Sequence, residues 1–194
     1  MSNLASSGIL INGLIWSTSN LDVSTFRNGD PIPESKTDQE WLEAGVTEQP
    51  TWGWASNDPE GRKKYGKLYN HYAVADPRGL APEGWRIPSY DELAALIVVG
   101  QLTDEINLPM AGFRAGDGYH FVLGSYGHYW SSSGSFRSAS CLVFDNRFAG
   151  KGFDSRRLGQ SVRCLMDHST PSKSGSGKEA SANINLIDDD DLPY

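Results

Sequence analysis

The side chains able to do chemistry are few in this chain and scattered along it. Cys141 and Cys164, its two cysteines, stand far apart. They form neither a CxxC motif nor a zinc-ligand set. Both sit among apolar neighbours: Leu142 and Val143 beside the first, Val162 and Leu165 around the second. A reactive thiol needs an electropositive, accessible setting, so inert core thiols fit this context better than a reactive pair. A single disulfide stays open on this reading, and a reducing compartment favours two buried thiols. The four histidines, His71, His120, His128 and His168, show no HxH or HExxH spacing, so no metal site is expected. Asp91/Glu92 reads as helix capping and Asp104/Glu105 as a solvated loop, so neither pair suggests acid–base catalysis. Asn57-Asp58-Pro59-Glu60 is oxygen-rich but reads as a polar turn. No cofactor is expected, and the chain does not read as an enzyme.

Binding is the chemistry left. Six tryptophans and eight tyrosines are many for 194 residues. Buried rings fill a core, and exposed ones make good contact residues. A net charge of −7 argues against direct nucleic-acid binding, which needs a Lys/Arg excess. No segment is apolar enough to span a bilayer. Met1 to Gly8 lacks the basic and apolar runs of a signal peptide, so the expected location is cytoplasmic when synthesised, with a virion as one further destination.

The elements that must position such residues are short. A chain of this length can bury about two-thirds of its unfolded surface as one domain. With 21 glycines and 10 prolines it favours a loop-rich fold over a helical bundle. Ile9 to Trp16, interrupted by Asn12-Gly13, reads as a strand or small hairpin. Thr37 to Ala44 reads as a short helix, capped by Thr37 or Asp38 and stopped by Gly45. Trp52 and Trp54 share a face and should pack on the N-terminal strand. Ser56 to Lys64 reads as a polar loop, and Tyr65 to Ala75 fits either strand or helix. Ser89-Tyr90-Asp91-Glu92 is a capping box, predicting a helix from about Tyr90 to Val99 with Gly100 as its stop. Short strands are then predicted at Leu108 to Phe113, His120 to Leu123, His128 to Ser132, Ala139 to Phe144 and Ser161 to Met166. The class is α+β: a twisted antiparallel sheet with one or two helices. Residues 1–167 make the domain, 168–184 a flexible Ser/Gly linker, and 185–194 an acidic peptide, disordered alone.

One stretch is more specific. YGKLYNHYAVADPRGLAPEGWRIPS, from Tyr65 to Ser89, resembles the hallmark of the Fibrobacter succinogenes major paralogous domain. The resemblance continues in FRNGDPIPE at Phe26 to Glu34, LPMAGFR at Leu108 to Arg114, YWSSS at Tyr129 to Ser133 and SVRC at Ser161 to Cys164. It implies a C-type-lectin-like fold, in the branch that also holds formylglycine-generating enzymes and the variable proteins of diversity-generating retroelements. Those enzymes depend on a closely spaced cysteine pair near the C-terminus, and Cys141 and Cys164 lie outside that spacing. Sugar-binding relatives chelate calcium through EPN or QPD with WND, and this chain has none of these motifs. The stretch before Leu108 is shorter than the family usually has.

In the variable proteins, the C-terminal part of the fold carries scattered arbitrary residues on a constant scaffold. By that resemblance Gly124-Ser125, Gly127, Tyr129 to Ser133, Leu142 and Arg157 to Cys164 are scaffold; Trp85, Trp130 and Tyr129 read as core. The display positions are then Phe113, Tyr119, Phe121, Val122, Tyr126, His128, Phe136, Arg137, Asp145, Arg147, Phe148, Phe153, Asp154 and Ser155. Aromatics and arginines in glycine-rich loops supply rigid contact area and forked donors. Strand alternation is expected to turn about a third of them into the core. The ligand would be a protein or surface glycan, bound without calcium, on a protein of bacterial or phage origin. Two other functions stay open: a formylglycine-generating-type enzyme, and an intracellular adaptor working through its tail. The end of the chain, with Asp189, Asp190, Asp191, Leu192, Pro193 and Tyr194, is similar to the acidic tip by which bacterial single-stranded-DNA-binding proteins recruit partners. Tyr194 replaces the usual Phe there, and a solubilising tail is the plainer reading.

Overall fold

The computed structural model describes residues 8–56, 59–98 and 101–167. The linker and the acidic peptide therefore lie outside the described residues, as do His168, Asn57, Asp58 and Gly100. The chain opens on a hairpin of β1 (Gly8–Ile11) and β2 (Leu14–Ser17). Asn12 at φ 50° and Gly13 at φ 78° make its two-residue turn, the conformation for which Asn-Gly is suited. Helix α1 (Asp38–Val46) starts on a capping box in which Thr37 accepts from the Glu40 amide. Gly45 does not stop it. That glycine lies inside the helix because the Arg157 side chain passes 3.3 Å from where its Cβ would sit.

Strand β3 (Trp52–Trp54) follows, and helix α2 (Pro59–Tyr65) occupies the stretch read as a polar loop. Pro59 suits a first turn, and Arg62, Lys63 and Lys64 suit a last one, where cations meet the helix's free carbonyls. The ambiguous segment after it is both things in succession: β4 (Lys67–Asn70), then α3 (His71–Val74). Asn70 makes the switch, its side chain accepting from the Ala73 amide as N-cap.

After β5 (Trp85–Arg86), the Ser89/Glu92 capping box starts α4 as expected, but the helix spans only Tyr90–Ala94. Ile97 and Val98 leave it to form β6 (Ile97–Val98), paired with β7 (Gln101–Leu102). Their β-branched side chains favour a strand there. The remaining strands are β8 (Phe113–Arg114), β9 (His120–Phe121), β10 (Gly127–Gly134), β11 (Ser138–Phe144), β12 (Ala149–Ser155), β13 (Gly159–Gln160) and β14 (Leu165–Met166). Four helices thus stand among the described residues, where one or two were expected. The strand predicted over Leu108 to Phe113 shrinks to its last residue plus Arg114, and that over Ser161 to Met166 to its last two.

The protein is α+β, and its paired strands run antiparallel. One sheet has the order β1-β2-β14-β5, a second β3-β4-β13-β8-β9, and a third is the meander β10-β11-β12. The centre of the meander, on β10 and β11, is covered on both faces. Trp130 pairs with Cys141 on one face, in a core cluster with Tyr69, Trp85 and Cys164. Tyr129 pairs with Leu142 on the other, in a cluster with Trp16, Leu93 and Phe144. Consecutive residues Tyr129 and Trp130 are both fully buried for this reason, as a sheet covered on two sides requires. Trp52 and Trp54 do share a face, but their neighbour is β4, not the N-terminal hairpin. Their rings meet edge to face at 5.5 Å, with the Lys67 ammonium 4.2 Å and 5.3 Å from the two centroids.

Candidate ligand-binding face

Three strands build the candidate site. Side chains alternate across the meander, so residues in register share a face. His128, Val143 and Gly150 form one row, and Trp130, Cys141 and Gly152 the next. Asp154 lies on the same face of β12, opposite Ala139. Strand β12 escapes a reading by propensity, because its glycines weaken a strand pattern. The structure explains them by close approach. A Cβ at Gly152 would lie 2.7 Å from both Cys141 Sγ and Val143 Cγ2, and a Cβ at Gly150 would enter the Phe148 ring.

The gap above Gly152 lets the Cys141 thiol reach across to Asp154, at 3.2 Å from Oδ2. Gln160 of β13 donates to the same oxygen at 2.6 Å. His128 Nδ1 stands 3.8 Å from it, at ion-pair range rather than in a hydrogen bond. The His128 imidazole is the largest influence holding the Asp154 carboxyl below its usual range. The thiol and amide donors add to that effect, and burial opposes it. Burial, and secondarily the Asp154 charge, pushes the Cys141 thiol far above the ordinary thiol range. Cys164, fully buried, is pushed up to about 12 by burial. Both cysteines are free.

Around this polar centre stands an aromatic frame. The rings of Phe113 and Phe121, cross-strand partners on β8 and β9, stack at 5.5 Å. Phe113 in turn lies 4.8 Å from the His128 ring, and Tyr126 stands 6.5 Å from it. Phe148 covers the Gly150 end of the row. Val122, beside this group, holds φ 52°, a left-handed conformation costly for a β-branched residue. Strain of that kind collects at binding surfaces.

None of the fourteen display positions is buried, so the expectation that about a third would fall into the core is wrong. Phe113, His128, Asp145 and Asp154 are half-buried and the rest exposed. The reason is that β10 and β11 supply the core through their centres, while the display positions sit at strand ends, on the edge strand and in turns.

The structure does not gather all fourteen. Phe113, Phe121, Tyr126, His128, Phe148 and Asp154 come together. Phe136, 78% exposed, and Arg137 occupy the β10–β11 turn, about 20 Å away at the other end of the meander. Phe153 and Ser155 point to the opposite face of β12, where the Lys151 ammonium lies 4.9 Å from the Phe153 ring and 4.1 Å from that of Tyr90. Asp145 closes the β11–β12 turn, its carboxylate accepting from the amides of Arg147 and Phe148, and those amides, helped by the Tyr126 side chain of the frame, hold it below its usual range. Tyr119 stands on the β8–β9 loop, where Asp117 accepts from its amide. The six tail positions, Asp189 to Tyr194, lie outside the described residues. Gln160 and Cys141 belong to the site as anchors of Asp154, and nothing in the local sequence marks either.

The face is open. Two recesses of about 440 and 500 Å³ lie elsewhere, between α2 and Asn107 and beside Trp54. Among the described residues no group of three or more His, Cys, Asp and Glu side chains is disposed to hold a metal ion, and no helix is long and apolar enough to cross a membrane.

The family model for the Fibrobacter succinogenes major domain matches residues 9–105, half of the chain. The matched span includes FRNGDPIPE and the whole stretch from Tyr65 to Ser89, and it ends before β8. LPMAGFR, YWSSS and SVRC stand beyond it. No curated protein and no solved structure matches the chain.

Proposed function

The chain belongs to the Fibrobacter succinogenes major domain family, and from that premise we propose that it is a ligand-binding display protein with a C-type-lectin-like fold. Its working surface is the aromatic frame around Asp154. Its origin is a diversity-generating retroelement of a bacterium or phage, and its ligand a protein or surface glycan held without calcium. The observation that carries the reading is that none of the fourteen positions is buried, while the strand centres between them, Tyr129 to Ser131 and Ala139 to Leu142, are. An open aromatic face with a carboxylate beside it suits a macromolecular ligand, since small molecules favour concave sites. The protein works as a binder and not as an enzyme. Buried thiols pushed above the ordinary range support this, because thiol chemistry requires thiolate. We place its synthesis in the cytoplasm, with virion association as its destination in a phage. The acidic tail remains a candidate contact for a protein partner.

The genome supplies the test. Retroelement diversification leaves a near-repeat of the codons for Phe113 to Cys164 that differs from the gene only at adenines, close to a reverse transcriptase gene. Finding both supports the reading. Sequencing the locus and finding neither would remove the retroelement from it.

A further inference from the structure

We propose that the cleft between α2 and the Asn107 loop, away from the aromatic face, is a binding site for a phosphorylated small molecule. Its volume is about 440 Å³, and Arg62, Lys63, Lys64, Asn20, Asn107 and Arg163 line it. Four cations around one recess are unexpected on a protein with a net charge of −7. The acid lining the same cleft, Asp22, is already matched by Lys67 at 3.0 Å. Lys63 and Lys64 pair with no described carboxylate.

Arg163 is the independent observation. It is 1% exposed, and no described carboxylate pairs with it. Its Nη atoms donate to neutral acceptors: the Ser17 carbonyl at 2.8 Å, Asn20 Oδ1 at 2.9 Å and the Asn107 carbonyl at 2.7 Å. Its Nε–H has no partner among the described residues. A buried charge without a counter-ion is costly, and a low-dielectric wall focuses its field into the adjoining solvent. That field enters a cleft already rimmed by lysines. Two of the rim cations are held in place by rings: Arg62 lies 5.1 Å over Trp54, and Lys64 4.9 Å over Tyr65. The neighbouring recess, which shares Arg163 and Asn107, carries Asp104 and Glu105 and would repel the same ligand. Lysines hold phosphate as point charges, and the volume leaves room beside it for an organic group against Tyr65. The rim cations also suit the end of α2, so the test must detect binding itself.

Inorganic phosphate and pyrophosphate are titrated into the full chain by calorimetry, at low and at physiological ionic strength. Saturable one-site binding that weakens with salt is expected. Replacing Lys63 and Lys64 together by Gln should weaken it about tenfold. Asn107→Asp, an isosteric change that adds a negative charge, should do the same, while Lys151→Gln on β12 should leave it unchanged. No saturable heat with either anion, or equal affinity in the wild type and in both cleft variants, would overturn the proposal.

Discussion

The Cys141 thiol lies 3.2 Å from a carboxylate oxygen of Asp154, thirteen residues away and one strand over. The contact exists because Gly152, the residue in register with Cys141, has no side chain to fill the space. Asp154 is thereby tied to the core from below while its edge faces solvent. Its anchors, Cys141 and Gln160, decide how firmly it is held beside His128.

The first prediction concerns pH. The folded state lowers the Asp154 pKa below 3.8. A depressed carboxylate contributes stability above its unfolded pKa, and that contribution is lost as pH falls through the folded value. Asp154→Asn should therefore cost about 1–2 kcal/mol in urea unfolding at pH 7, where the wild type has an anionic acceptor for Gln160 and Cys141. The difference between the two proteins should shrink as the pH drops below 3.8. A gap that stays constant with pH would show that the carboxylate's charge is not what the site uses.

Gly152→Ala tests the close approach directly. A Cβ there meets Cys141 Sγ and Val143 Cγ2 at 2.7 Å, so the strands must part. Overpacking of this kind costs about 1–3 kcal/mol, read as a lower urea midpoint. Adding Cys141→Ala removes one of the two clashing atoms. The double variant should therefore recover part of the loss, beyond what the two single changes predict by addition.

The same geometry marks where reading the sequence succeeds and where it stops. Ser89/Glu92 and Asn12-Gly13 are legible because each is a local hydrogen-bond or dihedral pattern complete within four residues, and the α1 cap is legible to within the choice of Thr37 or Asp38. The end of α4 is not, because Ile97 and Val98 choose their strand through pairing with Gln101 and Leu102. Strand β12 is hidden for a related reason. Gly150 and Gly152 look like loop residues until the register puts Phe148 and Cys141 against them. That none of the fourteen expected positions is buried is a property of their strands and turns, which the residue types alone do not carry. Their division between two faces and a distant turn is not legible either, since it follows from which strand each occupies. Gln160 reaches Asp154 from another sheet, and no local pattern encodes that contact.

Thiol accessibility separates binder from enzyme. Cys141 and Cys164 are both buried, and both are pushed above the ordinary thiol range by burial. In the native protein neither should react with a disulfide reagent at neutral pH on the timescale of minutes, and both should react once urea unfolds the chain. Rapid modification of one cysteine in the folded protein, or oxidation of a peptide cysteine that Cys141→Ser abolishes, would favour the formylglycine-generating reading instead.

The last prediction sets scaffold against display. Phe121, Phe136 and Phe153 are exposed, whereas Trp130 and Leu142 have no accessible surface. Replacing the three phenylalanines one at a time by Ser should move unfolding free energy by no more than about 0.5 kcal/mol, because an exposed ring loses little burial. Leu142→Ala should cost about 2–5 kcal/mol through the cavity it leaves between Tyr129 and Phe144. Trp130→Phe should cost less than a truncation to Ala, but it also strands the Tyr69 carbonyl that the indole N–H now serves at 2.9 Å. The contrast carries meaning for function. A surface that tolerates serine at each aromatic position without unfolding is one on which residues can be exchanged freely. A large loss of stability at Phe121 would instead make the Phe113–Phe121 stack part of the scaffold and confine variation to the turns.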